Sequence, residues 1–379
     1  MIDVERPLLQ WLTGCPVTGV EDVRTGSTAM AVVESAEWLP ALVGAGIVDR
    51  DSWLLVRHPG PVEELADTAT IPRSHSYGGS FGEFDGRVRV DQGFGLDTCR
   101  YGMAEFTKVD TPTVLRVGDA HDFSAFLRDA DVAWQSGGFA GYLTHPDAVL
   151  ADVAALGGPV DRAGPMHRVF VTVSGAVSTS PTGRPLGFAG DPLPRLQAEY
   201  IAVNDATAIP DGAGLNAALT DSDRCDALAD RPWIPRYVQV LGAIRLIRTG
   251  RRVADRASGF GGRISSELPR SNAPDRPDHP VILQIGTRFE AIAPDGIGRV
   301  GLDARRCALL EALLSWPGKV DVIHWCAGRF DLSVVEADAE LRDLLTQLDR
   351  ADVWSGWQDL PPEQSASPAI GPTTNGTLR

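Results

Sequence analysis

Lysine is nearly missing from this chain: it occurs only at Lys108 and Lys319, and arginine supplies the rest of the 35 basic residues, a bias typical of a GC-rich genome. Those bases stand against 50 acids, for a net charge of −15. A field of that sign disfavours general binding to nucleic acid or to an anionic membrane. Cysteine is scarce. Cys15, Cys99, Cys225, Cys307 and Cys326 are odd in number, widely spaced and without a Cys-x-x-Cys pair. That argues against a disulfide framework and against a zinc or iron–sulfur site. The seven histidines form no His-Glu-x-x-His, so no metal is expected. There is no Gly-Lys-Ser or Gly-Lys-Thr, which excludes a Walker-type phosphate loop. No apolar run approaches the ~18 residues needed to cross a bilayer, and Met1-Ile2-Asp3-Val4-Glu5-Arg6 carries an acid where a signal peptide is basic. The expectation is a cytoplasmic protein with no membrane partner.

What is present is a globular composition, 43% apolar and 22% charged, in a chain long enough for two or three domains. The expected order is an N-terminal α/β domain at 1–160, then a middle α+β region with an arginine-rich segment at 161–263. A proline-rich linker at 264–280, a compact unit at 281–357 and a disordered tail at 358–379 complete it. In the body, Ala29–Val33 and Thr113–Val117 read as buried strands, while Ala36–Gly44, Phe123–Trp134 and Pro146–Leu156 read as helices. Arg168–Val173 and Ala176–Thr179 flank Ser174-Gly175 as a hairpin. Asp191–Val203 and Pro235–Arg248 read as further helices. Pro269, Pro274, Pro277 and Pro280 interrupt any ladder, so Ile264–Pro280 reads as an extended linker to a semi-independent unit.

Gly78-Gly79-Ser80-Phe81-Gly82 has the Gly-x-Ser-x-Gly spacing of a hydrolase elbow, but it lacks the apolar strand before and the helix after that such a turn needs. Gly44-Ala45-Gly46 follows a helix, not a strand, and reads as a helix end instead of a dinucleotide loop. No catalytic residue and no cofactor is assigned. His75 with Ser80, and Asp85 nearby, could form a site in the loop around Ser80, and a peptide-modifying enzyme would have its site around His75, Ser80 and the arginine-rich segment that follows. The segment Arg236–Arg263 is a local basic island holding a single acid, Asp255. Arg245, Arg248, Arg251, Arg252 and Arg256 read either as a patch for an acidic partner or as the solvated side of a helix.

The C-terminal unit is the most informative. Val281–Ile285, Arg288–Ala293 and Arg299–Leu302 read as strands, with Pro294-Asp295-Gly296 as a turn. Asp303 caps a first helix. A second spans Val320–Ala327 with Gly328 as its cap, and a third spans Asp338–Arg350 with Leu341, Leu344, Leu345 and Leu348 in one stripe. The order β-β-β-α-α-α is that of a winged helix-turn-helix, so the fold class is an α/β (α+β) body plus a winged helix. Yet 281–357 holds eight bases against twelve acids, a net of minus four, and acids crowd the third helix. DNA is repelled there.

This arrangement resembles the PqqD-like recognition element of ribosomally made, modified peptides. The whole chain looks like the recognition protein of the daptide group in actinobacterial clusters. The resemblance implies that a precursor's leader segment pairs as an extra strand along Arg299, Val300, Gly301 and Leu302 and rests on Leu341, Leu345 and Leu348. It further implies a non-catalytic protein that presents the precursor to separate modifying enzymes. By periodicity alone the same leucines are core residues. A winged-helix transcriptional regulator with a ligand-sensing body, and a peptide-modifying enzyme, are the other readings.

Overall fold

In the computed structural model, residues 4–14, 28–57, 73–91, 93–158, 166, 168–205, 214, 219–268, 274–294, 296–316 and 318–354 are described. Residues 159–165 at the expected domain break and the expected tail at 358–379 lie outside them. Helix α1 (Glu5–Thr13) precedes β1 (Met30–Val33), α2 (Leu39–Gly44), β2 (Trp53–Arg57), β3 (Ser74–Gly78), β4 (Gly86–Val90), β5 (Phe94–Arg100), β6 (Thr113–Arg116), α3 (Ala120–Ser136) and β7 (Ala148–Leu150). There follow β8 (Arg168–Val171), β9 (Ala176–Ser178), β10 (Gly187–Phe188), α4 (Leu193–Asp205), α5 (Asp221–Ala229) and α6 (Ile234–Thr249).

The ten strands form one mixed sheet in the order β10-β9-β8-β1-β2-β3-β4-β5-β6-β7. Strands β8, β1, β2 and β3 are mutually parallel, and so are β5, β6 and β7. Because Arg168 of β8 pairs with Met30 of β1, a boundary at residue 160 cuts through a single sheet instead of separating two domains. The helix expected at Pro146–Leu156 is instead β7, whose Ala148 and Leu150 are buried on pairing with β6. So short an apolar run fits either period, and the neighbouring strand decides.

The sheet curls. One apolar cluster joins Phe170 of β8, Met30, Leu55, Tyr77, Val88 and Val114, residues from strands up to six places apart, around Leu8, Trp11 and Leu12 of α1. Helix α1 fills the opening between the two flanks. Asp152 N–H and Val153 N–H donate to Leu12 O and Thr13 O at 3.0 and 2.8 Å. From the other flank Arg168 reaches Trp11 O at 2.9 Å and Asp152 at 2.8 Å. The outer surface of β1, β2 and β8 is covered by α2 and α4, and that of β5 and β6 by α3 and α6.

A second, antiparallel sheet has the order β11 (Arg256–Ser258), β12 (Val281–Ile285), β13 (Arg288–Ile292), β14 (Arg299–Leu302). Gly296, at φ 77°, closes the turn between the last two with its N–H on Ala293 O. Helices α7 (Ala304–Ser315), α8 (Lys319–Phe330) and α9 (Val334–Arg350) follow. Asp303 caps α7 by accepting Arg306 N–H at 2.8 Å. Helix α8 runs past Gly328, and Asp331 takes the left-handed position expected of that glycine, φ 53°, which Asp tolerates better than most side chains. Helix α9 starts four residues early, at a capping box of Ser333 and Glu336.

This small sheet is covered on both sides. Ile282, Ala291, Val300 and Leu302 pack on α7–α9. Val281, Leu283 and Ile292 enter the cluster built on α3 and α6. The segment read as a loose linker is fastened at both ends. Glu311 of α7, fully buried, accepts Ile264 and Ser265 N–H at 2.6 and 2.8 Å. Arg236 of α6 donates to His279 O and Pro280 O, both at 2.7 Å, and Gln239 to Pro277 O at 2.5 Å. Arg263 makes a two-pronged buried ion pair with Asp275 at 2.7 and 2.6 Å. The prolines forbid regular structure, but carbonyls freed from ladders are the acceptors that buried arginine needs. The segment thus makes hydrogen bonds to both α6 and α7, unlike a linker without contacts.

His279 sits edge-on to Trp354, ring centroids 5.6 Å apart. Burial holds its pKa below the usual value, against the opposing pull of Asp275 and Asp278 and together with Arg236 and Arg276. A histidine kept neutral by folding stabilises above its unfolded pKa of about 6.5, and that contribution is lost as pH falls toward the lower folded value. Urea midpoints should therefore drop on acidification below about 6.5, and His279→Phe should flatten that part of the profile.

Candidate functional site

Strand β14 is the outer strand of its sheet, and its residues alternate exposed, buried, exposed, buried. Ala293 N–H donates to Gly298 O at 2.9 Å, which fixes the phase of the β13–β14 ladder. Hydrogen-bonded pairs alternate along an antiparallel ladder. With Ala291 opposite Val300 and Phe289 opposite Leu302, the N–H and C=O groups of Val300 and Leu302 turn toward β13. Those of Arg299 and Gly301 turn away from it. Among the described residues, no strand pairs with that outer border and no backbone hydrogen bond reaches it.

The border is framed. At its start, a Cβ on Gly298 would come within 2.5 Å of both Ala351 O and Asp352 O, so the turn that ends α9 presses on a residue that has to be glycine. At its end, Asp303 begins α7, which is tied to α9 by Arg305–Glu340 at 2.8 Å and Arg306–Gln347 at 2.6 Å. Leu341, Leu345 and Leu348 are 0%, 4% and 0% exposed in the core under β14. They are the core residues that their periodicity indicates and do not line an open shelf. The outward side of α9 carries Val335, Arg342, Thr346 and Asp349 instead.

On the opposite side of the sheet, where Arg299 and Gly301 project, an open groove of about 540 Å³ runs between β13–β14 and the last turn of α6. Leu246, Thr249, Gly250, Arg252, Glu290, Arg299 and Gly301 line it. Arg252 is paired with Glu290 there, its second nitrogen at 3.4 Å. Arg299 has no acidic partner among the described residues.

The remaining arginines of the island are dispersed. Arg245 is no surface residue at its charged end. Its Nε donates to Leu143 O at 2.6 Å beside Tyr237 and Tyr101, and burial lowers its pKa to about 10. Arg248 is half-buried in the last turn of α6, Arg251 is exposed, and Arg256 donates to Arg263 O at 2.8 Å and Ile264 O at 3.2 Å. Only Arg252 of the five lines the groove. The contribution of Arg299 to that same groove had no signal in sequence, because the wall opposite it is α6, about fifty residues back along the chain.

The grouping in the N-terminal body does not assemble. His75, at the start of β3, pairs with Asp91 at 2.7 Å and stacks on Trp53. Ser80, beyond the other end of β3, donates to Glu34 at 2.5 Å, and the chain turns from there into the β4–β5 hairpin, not a helix. Among the described residues no three His, Cys, Asp or Glu side chains converge in a way that could hold a metal ion, and no helix is long and apolar enough to cross a membrane. No protein-family model, no curated protein and no solved structure matches the chain.

Proposed function

We propose that this chain is a cytoplasmic, non-catalytic peptide-binding protein, in which β12–β14 and α7–α9 act as a winged helix-turn-helix of the PqqD-like kind. The leader segment of a ribosomally made precursor adds as a further strand along β14, and the rest of the precursor is thereby offered to separate modifying enzymes. The carrying observation is the outer border of β14, where the backbone groups of Arg299 and Gly301 face outward and no strand among the described residues pairs with them. Strand addition draws affinity from such groups and specificity from alternate side chains. The acids on and around α9, Glu340, Asp343 and Asp349, weigh against a DNA duplex at the same place.

The test is fluorescence polarisation of the full-length protein with a labelled leader segment of any short precursor peptide found encoded beside its gene. Gly301→Pro is the informative variant, because proline there deletes an outward N–H while sparing the β13 ladder. Losing that bond and the close approach next to it should weaken binding about tenfold. The same change at Leu302 would damage the protein's own sheet. If the natural leader binds no better than its scrambled version, the reading is wrong.

A further inference from the structure

The groove beyond β14 has a wall that the three-strand, three-helix unit does not supply: the last turn of α6, contributed by the preceding body. A strand laid antiparallel along β14 places its side chains alternately on the two sides of the sheet. Residues opposite Val300 and Leu302 lie over the α7–α9 side. Residues opposite Arg299 and Gly301 lie over the groove. At Gly301 nothing stands within 4 Å of where a Cβ would be, so the guest residue opposite it has open space beneath.

The charge of that space is set by two arginines and one acid. Arg252 and Glu290 neutralise one another, which leaves the guanidinium of Arg299 without a counter-charge among the described residues. The carbonyl end of α6 is also near, but Arg248, Arg251 and Arg252 follow in its last turn and just beyond, and they offset its partial negative charge. A planar guanidinium with free donors is best matched by a carboxylate.

Resting on the strand-addition reading above, we infer that the groove between α6 and β14 is a specificity subsite for an aspartate or glutamate of the bound peptide. That acid occupies the position opposite Gly301 and is held by Arg299 next to the Arg252–Glu290 pair. Recognition is thus shared between the terminal unit and the body: Arg252 of the body neutralises Glu290, and Arg299 of β14 sets the charge preference.

The experiment uses a phage-displayed random dodecapeptide library selected on the full-length protein, followed by polarisation titrations of the enriched peptides. The expected result is enrichment of peptides with one fixed acidic position and alternating apolar residues, whose binding is lost in Gly301→Pro. Arg299→Glu should weaken them at least tenfold, and selection on Arg299→Glu should return Lys or Arg at the same position. Arg299 is exposed, so the variant folds, and unchanged urea unfolding checks this. Peptides that are lost in Gly301→Pro yet show no acidic preference and ignore Arg299→Glu overturn the subsite and leave strand addition standing. Peptides indifferent to Gly301→Pro, or no enrichment at all, overturn both.

Discussion

Asp275→Ala lowers the free energy of unfolding by about 3–5 kcal/mol, the range seen when one partner of a buried pair is removed. Asp275 is 6% exposed and faces two arginines at once, Arg263 at 2.6–2.7 Å and Arg236 at 3.6 Å. Burial already lowers the pKa of Arg236 to about 10, so its charge is held at a cost that the carboxylate offsets. Removing the carboxylate strands both guanidiniums under the proline-rich segment, at the joint between α6 and β12. The neighbouring pair Arg276–Asp278 is the control, because it is 71% and 55% exposed. Asp278→Ala should stay within about 0.5 kcal/mol of the parent. Urea unfolding followed by tryptophan fluorescence distinguishes the two. Equal effects would mean that the segment is not locked by Asp275.

The second large effect is expected at the plug of the curled sheet. Trp11→Ala should cost about 3–5 kcal/mol, as large-to-small changes in a filled core do. Trp11 is fully buried, with its ring 5.8 Å from Phe81 and 6.4 Å from Phe170. It therefore touches β8 and the end of β3 at once, across the mouth that α1 closes. Its indole N–H has no partner, so the loss is one of packing, and Trp11→Phe should recover most of it. Near-ultraviolet circular dichroism and urea midpoints measure both variants. If alanine and phenylalanine behave alike, α1 does not seal the sheet as its contacts indicate.

The parts readable in sequence were those whose signals are local. The alternation at 281–285, 288–292 and 299–302, the Gly296 turn and the Asp303 cap each act within a few residues, and all are where they were expected. Ser333-Val334-Val335-Glu336 is equally readable as a capping box, a local signal that starts α9 four residues ahead of Asp338. The large sheet was less readable because its strands are short and their pairing is distant. Strand β3, Ser-His-Ser-Tyr-Gly, carries almost no apolar signal and is a strand only because β2 and β4 flank it. The basic island misled for a related reason. Arginine density reports charge along the chain, not direction, and Arg236, Arg245 and Arg263 were turned inward by carbonyls and acids far away in sequence.

The outer border of β14 is also a place where other copies of this protein could pair, since unpaired sheet edges stack on one another. Arg299 stands on that edge with no counter-charge among the described residues. Two such edges brought together would set like charges side by side, and that repulsion disfavours edge-to-edge pairing of two copies.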